Sequence, residues 1–275
     1  MKLTAKKSLG QNFLINPHII DKIVTTAKIS KNDTVIEIGP GTGNLTKKLV
    51  EQAGKVIAIE KDHRLIELLQ ETLKNYSNVE IIEDDILKFD PEILNTKYLI
   101  YNTGFKIVAN IPYYITSNFL RIIFESTNPP TGKGGWPKPE LIVLMIQKEV
   151  AQRILAKPPH MNLLALSVQY YSEPEIIGYI SKNNFRPIPK IDSAIIRLQP
   201  KSVVRNPQLF NLIRTGFSEK RKQLASLLSK KLDIKKTKIE GILQKIDLDP
   251  KVRAENLNLK QWLLLKSYLF NHHQN

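Results

Sequence analysis

The chain has 275 residues, and its 42% hydrophobic and 24% charged content is that of a soluble globular protein, which excludes a disordered chain and a membrane-embedded one. Lysine and arginine number 41 against 26 aspartate and glutamate, a formal net charge of +15 that points to a polyanionic partner. Cysteine is absent, so disulfides, thiolate zinc sites and cysteine nucleophiles are excluded together.

The N-terminal residues carry several lysines without a following apolar run, and no stretch approaches the ~20 apolar residues that span a bilayer. The expectation is a cytoplasmic protein with no membrane contact. Apolar residues at helical spacing predict a helix over Pro17–Ala27, before a β-branched strand at Thr34–Ile38. A helix at Asn44–Ala53, a strand at Lys55–Ile59, a helix at Arg64–Thr72 and a strand at Val79–Ile82 follow. Lys106–Ala109 reads as the fourth strand, with a helix at Thr116–Glu125, a loop-rich stretch at Asn128–Pro139, a strand at Leu141–Met145 and a helix at Lys148–Ala156. Strands at Ile176–Tyr179 and Ala194–Leu198 have no helix between them, which predicts an antiparallel hairpin at the end of a βαβ-type sheet.

Past Gln199-Pro200-Lys201 the pattern turns helical, over Gln208–Ser218, Glu219–Lys231, Thr237–Lys245 and Leu259–Phe270. The domain boundary is expected there, dividing the chain into 1–200 and 201–275. Residues 1–200 carry a net +5 and residues 201–275 a net +10, so two-thirds of the excess charge belongs to the smaller, helical domain.

Chemistry is concentrated where strands end. Thr34–Ile38 runs into Gly39-Pro40-Gly41-Thr42-Gly43, a loop whose glycines let backbone approach a ligand. A dinucleotide fingerprint would need glycine or alanine at position 44, and Asn44 stands there. Glu60, 21 residues beyond Gly39, ends the second strand, where a carboxylate can accept from both ribose hydroxyls. Glu83-Asp84-Asp85 ends the third and could set a carboxylate against an adenine amine.

The fourth strand ends in Asn110-Ile111-Pro112-Tyr113. An adenine amine is a poor nucleophile because its lone pair is delocalised into the ring. Accepting its hydrogens on the Asn110 amide oxygen and the Ile111 carbonyl would favour a pyramidal nitrogen, with Tyr113 stacked on the base. Pro112 fixes the backbone and offers no ladder donor. Between the last two strands, Phe185-Arg186-Pro187-Ile188-Pro189-Lys190-Ile191-Asp192-Ser193 offers Phe185 as a second stacking face and Arg186 and Lys190 as phosphate contacts.

Together with Lys7-Ser8-Leu9-Gly10-Gln11-Asn12-Phe13-Leu14, Gly216–Leu224 and Arg253–Leu257, these motifs make the chain resemble the ribosomal RNA adenine N6-dimethyltransferases, most closely the bacterial KsgA/RsmA type. The resemblance spans nearly the whole chain in the family's order. It implies an α/β fold, a Rossmann-like class I methyltransferase with a mostly parallel seven-stranded sheet, plus a small C-terminal all-helical domain. It further implies S-adenosyl-L-methionine as cofactor and dimethylation of two adjacent adenosines in the 3′-terminal hairpin of 16S rRNA, the partner being the small ribosomal subunit precursor and the enzyme a monomer.

By the same resemblance the cofactor contacts fall on Asn12, Leu14, Gly39, Glu60, Asp85 and Asn110, and the target adenine on Asn110, Ile111, Pro112 and Tyr113 with Phe185. Lys220, Arg221 and Lys222 are expected to grip RNA backbone, and no metal is expected. Tyr101–Gly104 and Thr131–Lys138 are insertions, and Lys157–Asn162 departs from the family's usual Gly-Ser-x-x-Tyr. Three alternatives stand beside this reading: an Erm-type 23S rRNA adenine methyltransferase, a non-catalytic rRNA-binding assembly factor and a nicotinamide oxidoreductase.

Overall fold

The computed structural model describes residue 6 and residues 10–98, 100–125 and 135–270. Residues 7–9 of the N-terminal motif and 131–134 of the second insertion lie outside the described residues. A short strand β1 (Phe13–Leu14) leads into α1 (Pro17–Ala27), whose start is set by the Asn16 side chain accepting from the His18 N–H and by Pro17 in the first turn. Then β2 (Thr34–Ile38), α2 (Asn44–Gln52), β3 (Lys55–Glu60), α3 (His63–Leu73), β4 (Val79–Glu83), α4 (Glu92–Tyr98), α5 (Ile100–Thr103), β5 (Lys106–Asn110) and α6 (Thr116–Glu125) alternate in chain order. β6 (Leu141–Gln147), α7 (Lys148–Ile154), α8 (Leu163–Tyr171), β7 (Ser172–Ile180), β8 (Phe185–Arg186) and β9 (Ser193–Pro200) follow, and α9 (Pro207–Phe217), α10 (Leu224–Leu232), α11 (Lys236–Lys245) and α12 (Leu259–Phe270) complete the chain.

Seven strands form one sheet in the order β4-β3-β2-β5-β6-β9-β7. β2 pairs in parallel with β3 and β5, β3 with β4 and β5 with β6, while β9 runs antiparallel between β6 and β7. The central strands are buried on both faces, as Val35, Ile36, Val56, Ile57, Ile107 and Val108 show, which explains their continuous rather than alternating apolar runs. On one face, Ile20, Ile23, Val24 and Ala27 of α1 and Leu45, Leu49 and Val50 of α2 close over Val35, Val56, Val108 and Met145. The expected strands and the terminal antiparallel pairing are present, and the sheet has the class I methyltransferase arrangement.

Two compact units result, residues 1–151 with 172–201 and residues 152–171 with 202–275. The second takes a segment that the expected 1–200 domain had included. The reason is α8, whose Leu166 and Val168 are fully buried and whose Tyr170 and Tyr171 rings meet Phe210 of α9 at 5.3 and 5.5 Å. In the same unit Gly216 permits close packing: a Cβ there would lie 2.4 Å from the ring of the buried Trp262. The expected helix over Glu219–Lys231 starts only at Leu224, so Lys220, Arg221 and Lys222 stand on a turn. In the first unit, α4, α5 and the β1–β8 pair are elements the sequence reading did not expect, and Trp136, within the described part of the second insertion, is buried with its ring centroid 6.0 Å from that of Phe89.

Candidate active site

From β2 the chain steps outward through β3 and β4, then returns to place β5 on the other side of β2. Such a reversal opens a crevice at the carboxyl ends of the strands. The crevice here encloses about 970 Å³, part of it open to solvent, and is lined by Gly10–Leu14, the Glu37–Thr42 loop, Glu60, Lys61, Asp84–Ile86 and Asn110–Ile115. The sequence-predicted residues Asn12, Leu14, Gly39, Glu60, Asp85, Asn110, Ile111, Pro112 and Tyr113 are all brought to it.

The loop after β2 keeps its backbone against the floor of the crevice. Gly39 donates to the Ile59 carbonyl at 2.9 Å and Gly41 to Glu60 Oε2 at 3.2 Å. Gly41 has φ +61°, and a Cβ on it would lie 2.9 Å from the Phe13 ring. Only glycine meets both demands. Gly43, also at positive φ, precedes α2, whose Asn44 amide donates to the Leu14 carbonyl at 2.9 Å and ties the N-terminal arm to the loop.

Glu60 Oε1 accepts from the N–H groups of Lys61 at 2.8 Å and Asp62 at 2.9 Å. Burial pushes its carboxyl above the ordinary range, with the Asp62, Gly41 and Lys61 N–H groups opposing. Burial would raise Asp85 as well, but the Lys61 ammonium at 2.8 Å and the Leu87 N–H hold it below its ordinary value. Glu37 is 1% exposed and its Oε2 has no hydrogen-bond partner. Burial pushes this carboxyl up to about 8; the nearby Thr46 hydroxyl tempers the shift without making a hydrogen bond of full geometry, and Glu60 adds to it.

At the end of β5, Asn110 Nδ2 donates to the Asn12 carbonyl at 3.1 Å. Tyr113 lies in a short 3₁₀ turn and its hydroxyl meets Ser193 Oγ at 2.7 Å; burial raises its phenol and the Ser193 hydrogen bond opposes. Phe185 requires a correction. It was expected as a second face for the base, yet it is 0% exposed and packs among Leu14, Ile180 and Ile195. The cause is the antiparallel pairing of Leu14 with Phe185, which turns the ring into the core; stacking on a base would require that pair to open. Arg186 and Lys190 are exposed nearby in sequence, Arg186 donating to the Phe185 carbonyl at 3.0 Å.

The crevice suits a nucleoside-bearing methyl donor with cationic groups: carboxylates end two adjacent strands, and the unpartnered Glu37 oxygen belongs to a carboxyl whose ionisation a nearby cation would favour. Glu37 stands two residues before the first glycine of the loop, and nothing in its local pattern signals that a carboxyl oxygen of its side chain is buried without a partner. Gln11 and Asp62 were not singled out, because they meet only through an arm folding back over a residue 51 positions away. Among the described residues no group of three or more histidine, aspartate or glutamate side chains could hold a metal ion, and no helix is long and apolar enough to cross a membrane.

The chain matches the model of the ribosomal RNA adenine dimethylase family over residues 2–270. It is 42% identical over 265 residues to a ribosomal RNA small subunit methyltransferase A of Dehalococcoides mccartyi, covering 94% of this chain and 87% of that one. The protein of that name from Clostridium botulinum is 40% identical over 274 residues, covering 96% and 94%. Among solved structures, a dimethyladenosine transferase from Plasmodium falciparum superposes with TM-score 0.72 at 30% identity over 92% of this chain and 95% of that one. The 23S rRNA methyltransferase ErmE gives 0.73 at 25% identity over 94% and 99%. With a matched family model over almost its entire length and these relatives, the chain belongs to the ribosomal RNA adenine dimethylase family.

Proposed function

We propose that this chain dimethylates N6 of two adjacent adenosines in the 3′-terminal hairpin of 16S rRNA, using S-adenosyl-L-methionine, as a cytoplasmic monomer acting on the small-subunit precursor. The observation that carries the reading is the convergence of the β5 end, Asn110–Tyr113, with the glycine loop and the carboxylates of Glu60 and Asp85 in one crevice. When bound, S-adenosyl-L-methionine supplies an electrophilic methyl group on a sulfonium centre.

Glu60 would hold the ribose, Asp85 the adenine edge of the donor, and Asn12, Leu14 and Gly39 its remaining contacts. For the target base, the Asn110 amide oxygen and the Ile111 carbonyl accept the amine hydrogens and draw the nitrogen lone pair out of conjugation. Tyr113 holds the ring in line, with Pro112 stiffening the turn. No strong base is needed, because the amine nitrogen gives up its proton readily once alkylated. The catalytic contribution is positioning and fixed dipoles. Arg186, Lys190, Lys220, Arg221 and Lys222, all exposed, suit RNA phosphates.

The naming of the curated relatives supports the small-subunit substrate over the 23S alternative, although the fold resembles ErmE equally well. Purified protein, labelled methyl donor and undermethylated small subunits should yield dimethyladenosine, and isolated large subunits should not be labelled. Labelling of the large subunit alone would establish the Erm-type reading. Donor binding by calorimetry without any incorporation would leave the assembly-factor reading.

A further inference from the structure

The N-terminal arm does more in this structure than cover the crevice. Gln11 Nε2 donates to Asp62 Oδ2 at 2.8 Å, and the Asp62 side chain is only 1% exposed. Arg64 grips the same carboxylate through Nε at 3.0 Å and Nη2 at 2.7 Å, with the Lys6 ammonium at 3.5 Å. One residue beyond Gln11, the Asn12 carbonyl accepts from Asn110 Nδ2 at 3.1 Å while the Asn12 side chain donates back to the Gly10 carbonyl at 3.0 Å. The arm is thus fixed on one side by a buried carboxylate and is in contact, on the other, with the amide at the end of β5.

An asparagine amide has one donating and one accepting end, and a half-turn exchanges them. With Nδ2 committed to the Asn12 carbonyl, Oδ1 is fixed as the opposite end, and among the described residues it makes no hydrogen bond of its own. That end is the one an adenine amine needs. The backbone carbonyl that selects this rotamer lies between two anchors, the β1–β8 pairing at Phe13–Leu14 on its C-terminal side and the Gln11–Asp62 bond on its N-terminal side. Asp62 in turn is held charged: the Arg64 hydrogen bonds keep its carboxyl well below the usual carboxylate range.

We infer that Gln11 and Asp62 are positioning residues for methyl transfer, acting through the Asn12 carbonyl to hold the Asn110 amide with its oxygen toward the substrate. The inference rests on the reading of Asn110 as the acceptor of the adenine amine. It assigns to the arm a catalytic consequence separate from holding the methyl donor: an unanchored arm lets the Asn110 amide turn, and a turned amide presents N–H to an amine that also carries N–H.

The test is single-turnover methylation of undermethylated small subunits at saturating donor by wild type, Gln11→Ala and Gln11→Lys, with donor and RNA affinities and thermal midpoints measured in parallel. Gln11→Ala should lower the transfer rate by roughly ten- to a hundredfold, the scale of a misoriented catalytic group, with RNA affinity within twofold and the midpoint nearly unchanged. Gln11→Lys, which restores a donor to Asp62, should recover most of the rate. A wild-type rate in Gln11→Ala, a loss that disappears when donor is saturating, or a loss confined to RNA affinity would each overturn the inference. Absence of methylation by the wild-type protein would instead refute the reading on which it rests.

Discussion

The hydroxyls of Tyr113 and Ser193 share a hydrogen bond of 2.7 Å, joining the turn after β5 to the first residue of β9, eighty positions along the chain. Ser193 is fully buried, so the bond holds the Tyr113 ring by its far end, and in the proposed reaction it is the face of that ring that receives the base. Tyr113→Phe should therefore keep the stack and lose the tether, retaining methylation within about tenfold while lowering stability by about 1–2 kcal/mol through the orphaned Ser193 hydroxyl. Tyr113→Ala also loses base stacking worth about 1–3 kcal/mol and should fall in rate by a hundredfold or more. Single-turnover assays with thermal denaturation decide the matter; equal losses in both variants would refute a stacking role.

Asn110→Ala removes both the amide oxygen and the bond to the Asn12 carbonyl. The expected outcome is a methylation rate reduced at least a hundredfold, with RNA affinity by filter binding within about twofold. A variant that still methylates at the wild-type rate would remove the amide from the mechanism.

The sheet was readable in the sequence because interior parallel strands are continuous apolar runs rich in β-branched residues, such as Val56–Ile59 and Ile107–Ala109. The crevice was readable because strand ends carry its residues. Three features escaped for physical reasons. Leu163–Tyr171 is apolar around most of its circumference, so it lacks the one-sided periodicity that marks an amphipathic helix. Phe185 stands amid prolines and cations that suggest an exposed loop, and its burial comes from a two-residue pairing with Phe13–Leu14 that no local pattern encodes. The Asn12 and Leu14 contacts came from family resemblance alone; the bonds that place the arm join Gln11 to Asp62 and Asn12 to Asn110, pairings remote in sequence.

At Gly41, alanine should disturb the crevice through two separate terms. A non-glycine residue at φ +61° costs about 1–2 kcal/mol, and the new Cβ would press on the Phe13 ring at 2.9 Å, displacing the arm. Gly41→Ala is expected to weaken methyl-donor binding at least tenfold by calorimetry. Adding Phe13→Leu, which removes the ring, should recover part of that loss in a double-mutant cycle. Strict additivity of the two changes would show that the contact with the arm contributes nothing.

Glu37 gives the stability a pH dependence of defined sign. Its carboxyl titrates near 4.5 when unfolded and near 8 when folded, so between these values the folded state holds a proton that the unfolded state has lost. Stability must fall as pH rises from 4.5 and level off above about 8, by up to about 5 kcal/mol. Glu37→Gln cannot ionise and should match wild type near pH 4.5 yet exceed it increasingly toward pH 8. Urea denaturation at several pH values supplies the comparison, and a constant difference between the two proteins would show that Glu37 is ionised throughout.

The basic turn before α10 should reveal itself through salt rather than sequence. Binding that releases counterions from phosphates weakens linearly in log–log form, by roughly 0.7–0.9 in slope for each phosphate contact. Lys220 and Arg221 are exposed, whereas the Lys222 ammonium is 2.6 Å from Glu219 and must give up that partner to reach RNA. Lys220→Ala and Arg221→Ala should each reduce the slope by about one contact, and Lys222→Ala by less. Because phosphates carry no sequence information, the loss should be the same on ribosomal and unrelated RNA hairpins. A triple variant with an unchanged slope would place the RNA grip elsewhere, and Arg186 and Lys190 would be the next residues to replace.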